Sequence, residues 1–306
     1  MSAGLVIAAA LAADWLFGEI RHGHPLAGFG RLAGRVERQW NRRALPAAAR
    51  RALGIVAVVL LVVPLAVAAG WISARAPYGS VLEVAILYLA LGLKSLGEHA
   101  HRVQQALAED ELDAARTAVG AMVSRDTRYL GPRGAAAAAV ESVLENGSDA
   151  VLAALFWFLV AGVPGVVAHR LVNTLDAMWG YRTQRLSAFG WAAARLDDVL
   201  NWIPARLVAL TYALVSGHPR RALACAWRQG GRTASPNAGV VMAAGAGALG
   251  VQLGGPGVYH GRRLWRPRFG VGAGPTPAAI GRSIRLVQGG ALVWTAAALL
   301  LGLALA

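Results

Sequence analysis

Ala52-Leu-Gly-Ile-Val-Ala-Val-Val-Leu-Leu-Val-Val-Pro-Leu-Ala-Val-Ala-Ala-Gly-Trp-Ile72 is apolar from end to end, with Pro64 its only potential breaker. At 1.5 Å per residue such a helix reaches about 31 Å, enough to cross a hydrocarbon core of ~30 Å. Leu286–Ala306 is a second strong span, and Leu5–Gly18, Val81–Leu96, Val151–Val167, Ile203–Gly217 and Ala238–Val251 are weaker ones. The whole chain agrees: 56% of residues are hydrophobic, 15% are charged and the mean hydropathy is +0.48. A soluble domain carries about a quarter charged residues. The expectation is an all-α, polytopic integral membrane protein forming one domain over 1–306, with amphipathic or re-entrant helices and cytoplasmic loops.

The charge is +14, and Lys94 is the only lysine among 30 basic residues. Arg21, Arg31, Arg35, Arg38, Arg42, Arg43, Arg50 and Arg51 read as one loop before the strongest span, and Arg262, Arg263, Arg266, Arg268, Arg282 and Arg285 precede the last. The positive-inside rule places both segments in the cytoplasm and both chain ends outside. Topology explains the basic charge with fewer assumptions than nucleic-acid binding, so no nucleic acid is expected. No Lys or Arg precedes Arg21, so the first apolar stretch lacks the positive start of a signal peptide and reads as an uncleaved helix. A single cysteine, Cys225, excludes an intrachain disulfide, a thiolate zinc site and an iron–sulfur cluster.

Ionisable groups beside apolar sequence are costly and point to function. Glu141, Glu145 and Asp149 recur at i, i+4 and i+8, one face of an α-helix, where three like charges repel and call for something positive between them. Ala161-Gly-Val-Pro-Gly165 then interrupts the apolar run, which predicts a re-entrant or hairpin turn returning Asn173 and Asp176 toward Glu145. Asp197, Asp198 and Asn201 follow on neighbouring helical positions. Arg125, Arg170, Arg182, Arg185, Arg195 and Arg206 are the available partners. Ion pairing alone would account for them. Carboxylates and amides among arginines also suit Mg²⁺ with a nucleotide, with oxygen ligands for the metal and guanidinium forks for phosphate. The acidic run Glu109, Asp110, Glu111 and Asp113 reads as a solvated turn.

Other signals are weaker. Gly245-Ala-Gly-Ala-Leu-Gly250 matches G-x-G-x-x-G but lies in an apolar Ala/Gly segment with no acidic residue after it. Close helix packing explains it better than a dinucleotide fold. No P-loop is present, and His22 and His24 have no zinc-like companions.

The order of short motifs resembles the adenosylcobinamide-phosphate synthase (CobD/CbiB) family. Those motifs are Arg125-Asp-Thr127, Glu141-Ser-Val-Leu-Glu-Asn146 with Asp149, Asn173-Thr-Leu-Asp176, and Gly180-Tyr-Arg182. Ala194-Arg-Leu-Asp-Asp198, Asn201 and Pro204-Ala-Arg206 continue the block at 120–210. His24-Pro25 with Gly30-Arg31, Ser235-Pro-Asn237, and Leu253-Gly-Gly-Pro256 with Tyr259 and Gly261 extend the likeness to both ends. Glu19-Ile20, Ala150 and Ala154 stand where the family usually has Asp-Pro, Gly and Pro.

The resemblance implies a multi-pass inner-membrane ligase with its site toward the cytoplasm. It would use ATP and Mg²⁺ to join a propionate of adenosylcobyric acid to (R)-1-aminopropan-2-ol or its O-phosphate, through an acyl phosphate. Asp126, Glu141, Glu145, Asp176 and Asp198 are the expected catalytic residues, and Glu145, Asp149, Asp176 and Asp198 the expected metal ligands. His24, Arg125, Thr127, Asn146, Asn173, Arg182, Asn201, Arg206, Asn237 and Tyr259 would bind substrate or ATP. Membrane lipid is an implied partner, and self-association stays open. The alternatives are a non-catalytic AmpE-like membrane regulator of the same family and a transporter.

Overall fold

The computed structural model describes residues 1–20, 23–259 and 262–304. Arg21, His22, Gly261 and the last two residues of the terminal span therefore lie outside the described residues, as does the Tyr259 side chain. Helix α3 (Ala47–Arg75) contains the stretch quoted above. One flank buries Ala57, Val58, Leu61, Val62 and Ala66, while Ile55, Val56, Val59, Leu60, Val63 and Val67 stay exposed. A helix apolar on its outward face as well as its inward one is built for lipid. Three further helical runs are long and apolar enough to cross a membrane: Gly79–Ala108, Pro132–Trp179 and Pro277–Ala304. The broken pair α9 (Trp191–Leu200) and α10 (Trp202–Val215) makes a fifth if counted as one span. The protein is a multi-pass α-helical membrane protein.

Three weaker spans need correction. Helices α1 (Ala3–Phe17) and α12 (Ala238–Leu249) fall short of a crossing, at about 22 and 18 Å. Residues 203–217 qualify only together with α9. The first arginine loop is also not a loop. Arg31, Arg35 and Arg38 ride on α2 (Pro25–Trp40), which buries Phe29, Ala33 and Glu37 at four-residue intervals. Arg50 and Arg51 lie in the first turns of α3. In the second basic segment, Arg262 and Arg263 lie on β3 (Arg262–Leu264) and Arg268 on β4 (Arg268–Gly270), while Arg282 and Arg285 lie on α13 (Pro277–Ala304).

The chain packs into two compact units, each made of discontinuous segments. The first comprises residues 1–92, 153–201 and 295–306. In it α3 packs on α8 (Ala153–Trp179) and α9, and α1 on α4 (Gly79–Ala90). Phe29, Leu61, Val172, Leu175, Trp179 and Phe189 lie in its core, where Trp179 meets Phe189 edge to face at 5.0 Å.

The second unit comprises residues 93–152 and 202–294. It contains α5 (Leu93–Ala108), α6 (Leu112–Gly120), α7 (Pro132–Asn146), a π-helical turn (Gly147–Leu152), α10, α11 (Pro219–Gln229), α12 and most of α13. Two short antiparallel ladders, β1 (Gln252–Gly254) with β4 and β2 (Gly257–Tyr259) with β3, stand outside the all-helical expectation. The 245–250 glycines serve packing. A Cβ on Gly245 would come within 2.5 Å of Leu144, one on Gly247 within 2.9 Å of Ala222, and Gly250 caps α12 at φ 67°.

The 48-residue run Pro132–Trp179 would be about 72 Å long if straight, more than twice the hydrocarbon core, so it must break. It does so at Ala161 and Gly162, the latter at φ 59°, ψ −147°. Beyond the break, a Cβ on Gly165 would sit 2.4 Å from the Trp157 carbonyl, eight residues back, whereas an unbroken helix separates such residues by about 12 Å. The expected interruption of the apolar run within Ala161–Gly165 is met by this break.

Candidate functional site

The first unit gathers amides, a histidine and carboxylates between α8 and α9. His169, Asn173 and Asp176 recur at i, i+4 and i+7 on α8, one helix face. His169 is 1% exposed, and its Nε2 lies 3.0 Å from Oδ1 of Asn201, which is 2% exposed. Asn173 donates to Asp197 Oδ1 at 3.4 Å and accepts from Arg170 Nη1 at 3.3 Å. Asp198 is half-buried and pairs with Arg195 one turn earlier at 3.7 Å. Asp176 is held at the end of α8: the Gly180 N–H donates to its carbonyl at 2.7 Å, and a Cβ on Gly180 would lie 2.0 Å from its Oδ1. That contact gives the glycine of the Gly180-Tyr-Arg182 motif its physical reason. Arg182 is exposed and has no hydrogen bond or ion pair among the described residues.

His24 caps α2, its Nδ1 accepting from the Leu26 N–H at 3.2 Å. It also borders a cavity of about 480 Å³ shared by Phe29, Leu65, Ile86 and Arg170. A separate buried network joins Glu37 to Arg185 and to Asn41 Nδ2, the latter at 2.7 Å.

In the second unit Glu141 is the hub. It is 4% exposed, and both its oxygens are taken. Arg125 and Arg266 reach Oε2 at 3.0 and 2.8 Å, and the Gly254 N–H donates to Oε1 at 2.7 Å. One carboxylate thus ties α7 to the 121–131 loop, to β1 and to the segment after β3. Releasing it would take an ion-pair partner from two arginines and strand a backbone donor.

Asp126 lies in that loop. The Arg128 side chain and backbone N–H hold its carboxyl below the usual carboxylate range. Thr127 accepts the Leu130 N–H on its carbonyl, 3.0 Å away. Asn146 is exposed and donates back to Ser142 O and Oγ at 2.9 and 3.0 Å. Arg206 donates to Asn237 Oδ1 at 2.8 Å and to Pro236 O at 3.2 Å, over the Trp202 ring, so the Pro204-Ala-Arg206 and Ser235-Pro-Asn237 motifs are in contact. Tyr259 occupies β2 opposite Arg262.

Glu145 is half-buried on the last turn of α7, and Asp149 is half-buried in the π-helical turn. The expected i, i+4, i+8 series thus runs from α7 into the π-helical turn, with Glu141 buried and Glu145 and Asp149 half-buried. A Cβ on Gly147 would come within 2.5 Å of Val287, and Tyr212 donates its hydroxyl to Leu144 O at 3.1 Å from the same side. Among the described residues no three His, Cys, Asp or Glu side chains are grouped as a metal cage. A Mg²⁺ ion that arrives with a nucleotide needs only one or two carboxylates beside the phosphates, and so requires no such cage. Burial pushes the Cys225 thiol up, which makes it a poor nucleophile.

His169 and Glu37 carry no role in the sequence motifs, and Arg266 enters there only as a topology charge. The spacing of His169 with Asn173 and Asp176 was a readable signal. The Arg266–Glu141 pairing, across 125 residues, left none.

These features define a class: a multi-pass helical membrane protein whose buried carboxylates are matched by arginines and amides. Residues 7–287 match the model of the CobD/Cbib protein family. The chain is 56% identical over 297 residues to "Cobalamin biosynthesis protein CobD" of Stutzerimonas stutzeri, covering 96% of each chain. It is 53% identical over 315 residues to the protein of that name in Chromobacterium violaceum, covering 99% of each. The Mycobacterium tuberculosis H37Rv protein is 41% identical over 290 residues, covering 92% of this chain and 90% of its own. No solved structure matches. The chain belongs to the CobD/CbiB family.

Proposed function

We propose that this protein serves cobalamin biosynthesis as the ATP-dependent ligase that forms the amide between a propionate of adenosylcobyric acid and aminopropanol or its O-phosphate. The observation that carries the reading is the family match along residues 7–287, to relatives named for cobalamin biosynthesis. The chemistry follows from the bond to be made. A carboxylate resists amine attack because its carbonyl carbon is electron-rich and an oxide is a poor leaving group. Transfer of the γ-phosphoryl group to a propionate oxygen gives an acyl phosphate and ADP. Attack by the free amine then forms the C–N bond, and inorganic phosphate leaves with the former carboxylate oxygen. Both steps need charge neutralisation and positioning rather than a covalent enzyme nucleophile.

Of the carboxylates expected to hold metal, Asp176 and Asp198 belong to the first unit and are the pair we assign to Mg²⁺, which would neutralise phosphate charge when bound. Arg182, exposed and without a protein partner among the described residues, is assigned to phosphate. Asn173 and Asn201, positioned by His169 and Asp197, are assigned to substrate binding. Glu141 is assigned a positioning role, holding Arg125, Arg266 and the Gly254 backbone together. Membranes containing the protein, given adenosylcobyric acid, the amine and Mg–ATP, should consume the corrinoid only when ATP is present. A regulator or a transporter would leave it chemically unchanged.

A further inference from the structure

The second unit holds a cavity of about 350 Å³ bordered by Ser216, His218, Arg221, Leu249, Arg282 and Arg285, which nothing in the ligase reading uses. Two of its arginines have an evident structural role. Arg221 donates Nε to Gly247 O at 2.5 Å and Nη2 to Ala248 O at 3.0 Å, and Arg282 donates Nη1 to Leu249 O at 3.2 Å. They cap the carbonyl end of α12, where the helix dipole presents roughly half a negative charge.

That role leaves most of the charge unanswered. The Arg285 side chain has no hydrogen bond or ion pair among the described residues, and the His218 ring has none either. Arg282 and Arg285 are three residues apart on α13 and share a face. No carboxylate borders the cavity, and the sequence contains no Asp or Glu after Asp198, so the elements forming this cavity bring none. Three guanidiniums facing one concavity repel unless an anion enters. Their planar forks match the oxygens of phosphate, which a point-like ammonium does less well. The remaining wall is apolar, formed by Val215, Leu249 and Leu286. Leu286 begins the apolar stretch of α13, so the basic mouth adjoins the part of the helix built for lipid.

We propose that this cavity binds the phosphate group of an ester, with Arg221, Arg282 and Arg285 on its oxygens and the organic part along Val215, Leu249 and Leu286. Two sources carry that chemistry, an anionic phospholipid headgroup and a soluble phosphate ester such as a nucleotide. The proposal does not depend on the ligase reading, and its test measures binding rather than turnover.

The full-length protein, delipidated in non-ionic detergent, is titrated in two arms. One follows phosphatidylglycerol against phosphatidylcholine by native mass spectrometry. The other follows radiolabelled orthophosphate and ATP by equilibrium dialysis. Saturable binding is expected in at least one arm, weakened about tenfold or more by Arg285→Gln and unchanged by Arg228→Gln, an exposed arginine on α11 outside the cavity. Binding of phosphatidylglycerol alone assigns the lipid source, and binding in the dialysis arm assigns the soluble one. Melting curves check that Arg285→Gln stays folded; if it does not, Arg285→Lys replaces it and should weaken binding by removing the fork while keeping the charge. Absence of saturable binding in both arms, or equal binding by the Arg285 and Arg228 variants, overturns the proposal.

Discussion

Two kinds of charged side chain are present, and substitution separates them. Glu141 is saturated by two arginines and a backbone N–H. Glu141→Gln should lower the stability of the folded protein by about 3–5 kcal/mol, the cost of stranding a buried charge, read as a fall in melting temperature in detergent. Asp176→Asn and Asp198→Asn should leave the protein folded in the membrane and cut turnover by about two orders of magnitude or more; near-normal rates in both would remove the metal assignment. The arginines divide in the same way. Arg182→Lys should raise KM for ATP or for the amine phosphate more than about threefold, or ~0.7 kcal/mol, at unchanged membrane yield. Arg125→Lys and Arg206→Lys should lower yield or melting temperature instead, because both arginines hold protein groups. The residue types of the candidate site were legible in the sequence, since carboxylates beside apolar runs stand out. Their partners were less so: Arg125 lies near Glu141 in the chain, whereas Arg266 and Gly254 approach from more than a hundred residues away.

At the scale of elements, legibility follows how local the cause is. The break in α8 was readable because Gly162, Pro164 and Gly165 carry it themselves. Gly162 sits at φ 59°, ψ −147°, a region that side chains with a Cβ avoid. Gly162→Ala should therefore cost about 1–3 kcal/mol, measured as a lowered melting temperature without loss of helical circular dichroism. Helix α2 differs from the loop that its arginines suggest, because Phe29, Ala33 and Glu37 recur at helical spacing on its buried face. The π turn at Gly147–Leu152 was not readable at all, because Val287 and Tyr212, distant in sequence, crowd Gly147. The short strands escaped for a similar reason: Leu253 pairs with Phe269 across a segment of glycines, prolines and arginines that has no strand periodicity.

For the whole molecule, hydropathy alone was decisive for membrane residence, because a run such as 52–72 has no soluble alternative. Orientation rests on the arginines. Reporters inserted at Arg42 and at Arg263 should both report cytoplasm, and reporters at the two termini should report the outside. Opposite signals from Arg42 and Arg263 would defeat that arrangement. The central claim, activation of a corrinoid carboxylate by phosphoryl transfer, has a more direct test. Adenosylcobyric acid labelled with ¹⁸O in its propionate carboxylate is incubated with the protein, the amine and Mg–ATP, and the inorganic phosphate is analysed by mass spectrometry. The account predicts one ¹⁸O atom in each phosphate released with product, since the carboxylate oxygen leaves on phosphorus. Amide formation without ATP, or phosphate free of label, would contradict it.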